Sequence, residues 1–462
     1  MMYAGEEKSL KGDMHAVPRV SVLMPLYNGK AFIEESLRSV QAQTFTDWEF
    51  IIVNDCGSDD GCADIVRAYA ARDPRIRLIQ CTERLGIAAS LNKGLDAAVG
   101  EYVARVDVDD PSVPERLEKQ VAFMDAHPEL VLCSCKERTI TPKGTSIEDL
   151  PTDPEEVKAA MLFGCEMPHG AMIMRKSVLD HHGWRYSEGY LIEDYELWIR
   201  VILSGASVAN MDEVLVDRRW GFNNISIGKG NAYQEEMRQL SRQFISALGV
   251  DVHCYDINLF SGWNSKPKDY YKEHPADCLS EGYRLLQDIY KSNLYKGFFE
   301  EQTLRKILNR KWDWIRSTCG VSFSPIVHSE KSPLSCQGPL VSVVLPTFNS
   351  VKDISGAIDS VLAQTYTNWE LLVINDDGSD DGTAEIVKMY AWNDPRVHLI
   401  QAESRLGLAE SLNHGIRCAQ GKYIARLDAD DTSHPTRFAK QVALMESQPD
   451  VGICGTWQHH YG

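Results

Sequence analysis

No stretch of about 18 consecutive apolar residues, enough to cross a bilayer, occurs in this chain, and residues 1–18 are short, charged and polar, unlike a secretory leader. A cytoplasmic address is the resulting expectation, with peripheral association at the inner face of the plasma membrane compatible with it. Basic charge is scarce: 48 Lys and Arg stand against 66 Asp and Glu, a formal net charge of −18. Nucleic-acid binding needs a basic face, so that class of partner is excluded, whereas a phosphate ligand is allowed if a divalent cation stands between it and the carboxylates. The twelve cysteines are scattered, Cys133-Ser134-Cys135 is the only tight pair, and no spacing marks a zinc site. They read as reduced, mostly buried thiols. Neither a Gly-x-Gly-x-x-Gly nor a Walker sequence follows the first apolar run, which disfavours a dinucleotide fold and a P-loop NTPase.

What the chain does have is a long internal repeat. Residues 20–141 recur as 341–462 at a constant offset of 321, without insertion or deletion and with about half of the positions identical. Such a period is far beyond the solenoid range, so each copy is a domain. The 199 residues between the copies have no counterpart after the second one.

In the first copy, β-branched apolar runs at 19–26, 49–53, 76–80 and 102–106 alternate with helical periodicity at 31–43, 64–71 and 86–98. That alternation predicts right-handed βαβ units and a mostly parallel sheet covered by helices. Ligands of such sheets bind at the carboxyl ends of the strands. The polar signals fall there: Tyr27-Asn28, Asn54-Asp55, Arg84-Leu85-Gly86 and Asp107-Val108-Asp109. An isolated Asp-x-Asp is most often a solvated turn, but this one ends an apolar strand and returns as Asp428-Ala429-Asp430. Hard oxygen ligands so placed suit Mg²⁺ or Mn²⁺ bridging to a diphosphate.

Four ordered motifs carry a resemblance. Val-Ser-Val-Leu-Met-Pro-Leu-Tyr-Asn from Val20, Asn-Asp-Cys-Gly-Ser-Asp-Asp-Gly from Asn54, Gly-Glu-Tyr-Val-Ala-Arg-Val-Asp-Val-Asp-Asp from Gly100, and Glu-Asp-Tyr-Glu-Leu-Trp-Ile-Arg from Glu193 resemble the signatures of family 2 glycosyltransferases. The likeness spans 18–228 in full and 339–462 in part. It implies a duplicated α/β GT-A fold (a Rossmann-like, mostly parallel sheet sandwiched by helices) and an inverting transferase using Mn²⁺ or Mg²⁺ and a nucleotide-diphosphate sugar, a UDP-sugar first. The acceptor would be a glycan or a lipid-linked sugar, as in bacterial surface-polysaccharide synthesis.

Residue by residue, the resemblance assigns the metal to Asp109 and Asp430, with His169 near the metal or acceptor. It assigns the donor to Pro25, Tyr27, Asn28, Asp55, Cys56, Arg84, Asn92 and Asp107, and to Pro346, Asn349, Asp376, Asp377, Arg405 and Asp428 in the second copy. Cys56 replaces the acid that Asp377 retains, which leaves the first module's base open. The pair Glu193 and Asp194 matches the catalytic-base motif with Asp194 as the base, although acids also suit a first helical turn. The expected layout is a tail at 1–17, module one at 18–228, a helical connector at 229–321 that only packs, a linker at 322–339, and at 340–462 the donor half of a second module. A counterpart of Glu193-Asp194 would fall beyond residue 462. Two other classes compete. A non-catalytic sugar-nucleotide scaffold would make Cys56 a sign of degeneracy, and a nucleotidyltransferase would need a better basic loop than Asn28-Gly29-Lys30.

Overall fold

A computed structural model describes residues 17–220, 230–256, 271, 273–321 and 338–456. The expected tail at 1–17 and linker at 322–339 fall almost entirely outside them, as does most of a Pro-containing stretch at 260–275 that interrupts the helical periodicity of the connector. The chain divides into two compact units, Met1–Ala247 and Leu248–Gly462. Among the described residues no helix is long and apolar enough to cross a membrane.

Unit 1 follows the sequence periodicity. Strand β1 (Val20–Leu26), α1 (Ile33–Gln41), β2 (Trp48–Asn54), α2 (Cys62–Ala70), β3 (Ile76–Gln80), α3 (Ile87–Ala97) and β4 (Tyr102–Arg105) succeed one another. The order β3-β2-β1-β4 is parallel throughout, in register from Val20 opposite Trp48 on one side and Tyr102 on the other. Strands β1, β2 and β4 are almost wholly buried because helices cover both faces, which is why they read as continuous apolar runs and not as alternation. Chain order reverses between β1 and β4, so the carboxyl ends of these two strands frame the crevice where a ligand of an open α/β sheet binds.

The second half of the sheet mixes antiparallel and parallel pairing. After α4 (Arg116–Ala126) come the long β5 (Leu130–Thr141), its hairpin partner β6 (Gly144–Ile147), α5 (Pro154–Ala160), a 3₁₀ turn at His169–Ala171, β7 (Ile173–Arg175), α6 (Lys176–His182), α7 (Glu193–Leu203) and β8 (Ser207–Arg219). Strand β7 lies between β4 and β5, antiparallel to both, and β8 runs parallel to β5 through register shifts. Local chemistry sets several helix ends. Asp153, for example, accepts from the amides of Glu155 and Glu156 at 3.0 Å with Pro154 in the first turn. Helix α8 (Gly230–Ala247) closes the unit, and Tyr195 of α7 donates to Met161 O at 2.5 Å and meets Ser241 Oγ of α8 at 3.1 Å.

In unit 2, α9 (Pro275–Lys296) and α10 (Glu301–Thr318) precede a four-stranded parallel sheet. It is built from β9 (Val341–Thr347), α11 (Ile354–Leu362), β10 (Trp369–Asn375), α12 (Thr383–Asn393), β11 (Val397–Gln401), α13 (Gly407–Cys418) and β12 (Tyr423–Arg426), followed by α14 (Arg437–Ser447). The helices expected as one connector are therefore shared out, α8 to unit 1 and α9 and α10 to unit 2. Arg305 of α10 donates to Trp392 O at 2.8 Å, and the amides of Asn309 and Asn393 bond reciprocally at 2.8 and 3.0 Å.

One glycine in each unit is fixed by close approach. A β-carbon on Gly100 would lie 2.6 Å from Ser21 N, and one on Gly421 2.6 Å from Ser342 N, where Ser21 and Ser342 also accept from these glycine amides. Gly100→Ala should destabilise the chain by about 1–3 kcal/mol, since backbone must give way. A denaturant midpoint within error of the parent would show that the turn shifts freely.

Candidate functional site

Three loops at the carboxyl ends of β1, β2 and β3 are stitched together by their own short polar residues. Asn28, one of only two non-glycine residues with positive φ among those described, sits at φ 50°. Its Oδ1 accepts from Asp59 N at 3.0 Å while its amide donates to Ser58 Oγ at 3.0 Å. Asp55, buried at the end of β2, accepts from Cys56 N at 2.9 Å, Leu85 N at 2.7 Å and Gly86 N at 3.0 Å, and pairs with Arg84 Nε at 3.0 Å. The Arg84 guanidinium then lies 3.5 Å over the exposed Tyr27 ring. Pro25 ends β1 beneath this loop, and Cys56 stands half-buried beside Asp55.

Unit 2 repeats the arrangement, below Pro346 of β9. Asn349 has φ 49°; Asp376 takes Asp377 N, Leu406 N and Gly407 N at 3.0, 2.7 and 2.9 Å; Arg405 lies 3.4 Å over Phe348. Burial works against the Asp376 carboxylate, but these backbone donors and Arg405 hold it below the usual range. Asn92, grouped above with Arg84, is placed differently. Its amide clamps the Tyr186 backbone in both directions at 2.8 Å. The matching Asn413 instead reaches Glu410 at 3.4 Å.

Beyond β4 the acids converge on a buried cation. Arg105 pairs with Asp107 through both terminal nitrogens, at 2.7 and 2.6 Å. A β-carbon on Gly170 would come within 2.9 Å of Asp107 Oδ2 and 3.5 Å of Glu137 Oε1. Burial, then repulsion from Asp107, pushes the carboxyl of Asp109 upward, and the same causes with Asp109 added raise Asp110 further. Arg219 ties this turn to β8, its amide donating to Asp110 Oδ1 at 2.8 Å and its Nη1 to Asp109 O at 2.9 Å. Glu137, which the sequence reading did not select, is pushed up to about 7 by burial against the pull of Arg218 at 3.7 Å. Its period-two spacing from buried Cys133 and Cys135 was the available signal.

On the far side, Glu193 and Asp194 open α7. Burial raises both, with Asp194 adding to Glu193. Tyr195 N donates to Asp194 Oδ1 at 2.8 Å, while Asp194 Oδ2 lies 3.6 Å from His169 Nδ1. Glu193 Oε1 is 3.8 Å from the same nitrogen. His169 Nε2 meets the Tyr186 hydroxyl at 2.8 Å, and its ring stands edge-on to Trp198. Burial and the field of Arg105 hold the imidazole well below its ordinary pKa, hence neutral. Tyr186 is a second residue the sequence reading missed; only tertiary structure brings it to His169. Of the two acids, the Asp194 side chain is 19% exposed and that of Glu193 6%.

Among the described residues no group of three or more His, Cys, Asp or Glu is placed to hold a metal alone, and His169 is not brought together with Asp109 in such a group. The donor chemistry nevertheless fits a hard cation. Asp109 is a carboxylate destabilised by burial and by Asp107, the kind of charge Mg²⁺ or Mn²⁺ relieves with phosphate oxygens completing its shell.

Comparison with known proteins adds the following. The family model described as Glycosyl transferase family 2 matches residues 21–183 and 342–462. EpsE of Bacillus subtilis (strain 168), which carries a glycosyltransferase name, is 36% identical over 211 residues, 44% of this chain and 73% of EpsE. The amylovoran biosynthesis glycosyltransferase AmsE of Erwinia amylovora is 30% identical over 225 residues, 48% of this chain and 84% of AmsE. Over nearly the whole chain, 98%, the match is to y4gI of Sinorhizobium fredii at 23% identity, and the chain spans only 43% of that protein. Among solved structures, S. aureus TarS 1–349 with UDP-GlcNAc superposes with a TM-score of 0.44 at 17% identity, covering 65% of this chain and 90% of TarS 1–349.

The raised acids make stability fall with pH. Between about 4.5 and 7, folded Glu137 keeps a proton that the unfolded chain has released, so the native state binds more protons and loses stability as pH rises through that window. The melting temperature should drop from pH 5 to pH 8, and Glu137→Gln should flatten the slope by up to on the order of 3 kcal/mol. A slope unchanged by Glu137→Gln would place the titration elsewhere.

Proposed function

The chain belongs to glycosyl transferase family 2, and from that premise we propose that unit 1 transfers a sugar, with inversion, from a nucleoside-diphosphate sugar to a hydroxyl of a glycan or lipid-linked acceptor. The observation that carries this reading is the pairing of two acid sets at one strand-end crevice. Asp107 and Asp109 follow β4 next to the donor loops, and Asp194, the more open acid of its pair, faces the neutral His169. Polysaccharide synthesis is the proposed setting, supported by the name of AmsE.

Inversion at the sugar carbon requires one displacement, with a base on the face opposite the leaving group. Asp194 Oδ2 takes the acceptor hydroxyl proton as the acceptor oxygen bonds to the anomeric carbon, and the bond from that carbon to the diphosphate oxygen breaks, releasing the nucleoside diphosphate. Oδ1 is already held by Tyr195 N, which fixes the carboxylate for the transfer. Burial raises the basicity of Asp194, and so the acid limb of the rate profile should lie above the ordinary aspartate range. Glu193 and neutral His169 shape the pocket around it. Tyr27, Asn28, Asp55 and Arg84 offer a ring, backbone and a cation to the nucleoside, a UDP-sugar being the first candidate. Mn²⁺ or Mg²⁺ held at Asp109 would neutralise the diphosphate. Unit 2 offers the same donor loops, with Asp376 and Asp377 in place of Asp55 and Cys56, and Asp428 and Asp430 after β12.

The test is nucleoside-diphosphate release with Mn²⁺ and a panel of UDP-, GDP-, CDP- and dTDP-sugars, with acceptor mixtures supplied. Asp194→Ala should lower turnover by at least about 100-fold while donor affinity by calorimetry stays near the parent's. Asp109→Ala should weaken metal-dependent donor binding itself. Donor turnover that survives Asp194→Ala would overturn the assignment of the base, and absence of donor binding by the parent would favour a scaffold.

A further inference from the structure

Helix α7 begins without a conventional cap. Its N-cap residue is Ile192, whose side chain cannot accept from the first-turn amides, and yet the two catalytic candidates are the first residues of that helix. The two amides just ahead of the first turn are held instead from another helix. Glu236 of α8 takes Leu191 N at 2.6 Å and Ile192 N at 2.8 Å on a single oxygen, Oε1. Glu236 stands 45 and 44 residues away in sequence, in a segment expected only to pack. Charge-assisted bonds to backbone amides are about twice as strong as neutral ones, and a carboxylate also suits the positive end of α7. No other side chain among the described residues is recorded bonding the amides of Leu191 or Ile192.

We propose that Glu236 is a positioning residue that fixes the backbone immediately before Glu193 and Asp194, and so sets where Asp194 Oδ2 stands relative to the acceptor hydroxyl. Two further features support a role beyond packing. Both bonds fall on one oxygen and converge on consecutive amides, which fixes the orientation of that short segment as well as its location. The second tie between the same helices, Tyr195 hydroxyl to Ser241 Oγ, attaches inside α7, after the acids, and is backed by the bond from that hydroxyl to Met161 O. Only the Glu236 contact acts upstream of the acids. The inference rests on the proposal that Asp194 is the base.

Three variants of the full chain test it. Glu236→Ala leaves Leu191 N and Ile192 N without their acceptor, and kcat should fall roughly 10- to 100-fold with donor KM within about 2-fold of the parent's, the signature of a displaced catalytic group. Glu236→Gln keeps an acceptor oxygen at the same reach and should recover kcat to within about 5-fold. Ser241→Ala loosens the α7–α8 contact elsewhere and should leave kcat within about 2-fold. Amide exchange provides a readout without turnover. Glu236→Ala should speed exchange at Leu191 and Ile192 by about 10-fold or more, corresponding to loss of hydrogen bonds worth above 1 kcal/mol. A fall in kcat shared equally by Gln and Ala, or by Ser241→Ala, would overturn positioning in favour of general packing, as would exchange unchanged in Glu236→Ala. Faster exchange with kcat intact would also overturn the proposal. If the parent turns over no donor while exchange responds as stated, the transferase reading fails and the backbone clamp stands.

Discussion

A guanidinium removed from water costs several kcal/mol unless it is paired and fully hydrogen-bonded, and in unit 1 that burden falls on Arg105 at the end of β4. Asp107 meets most of it with two short bonds to the terminal nitrogens, leaving Nε without a partner among the described residues, and this fixes the first acid of the Asp-x-Asp turn against the sheet. The backbone of Arg105 is held in turn by Arg116, fully buried on α4, whose Nη2 donates to Arg105 O at 2.7 Å. Gly170 has to be a glycine because Asp107 occupies the space of its β-carbon. The same cation faces the other way, adding to burial in holding the His169 imidazole low and opposing the rise that burial gives Glu193 and Asp194. Asp107 on one side and Glu193 and Asp194 on the other thus share one buried charge.

The duplicated sequence supplies an internal control on this point. Arg426 and Asp428 repeat the pair in unit 2 with two bonds of 2.9 Å, made by Nε and Nη2. The residues are the same but the grip is not: Arg105 holds Asp107 end-on through Nη1 and Nη2, and Arg426 holds Asp428 side-on.

Division of labour between the two base-motif acids follows from burial as well. Glu193 is enclosed by its neighbours, while Asp194 keeps one oxygen tied to Tyr195 N and has the other 3.6 Å from His169 Nδ1. Helix α8, expected only to pack, anchors the segment before these acids through Glu236. The site is thus assembled from loops after three parallel strands, a turn before β7, and the contact of two helices distant in sequence.

The sequence by itself determined the elements whose signals are local: buried parallel strands as apolar runs, helices by their periodicity, and turns where asparagine or glycine tolerates positive φ. It also made the donor loops, the Asp-x-Asp turn and the Glu-Asp pair legible, because each occupies a strand end or helix start, and the repeat displayed the first two of these twice. Tertiary structure alone decided which of these residues meet. Asn92 reads as a donor residue beside Arg84 but is committed to the Tyr186 backbone; Glu137 and Tyr186 carry no motif; Glu236 sits in a helix with an unremarkable pattern. Their roles depend on contacts across tens of residues and on how far each charge is withdrawn from water. Neither quantity is encoded in local spacing, and both appear only when the second half of the sheet and α8 are packed in place.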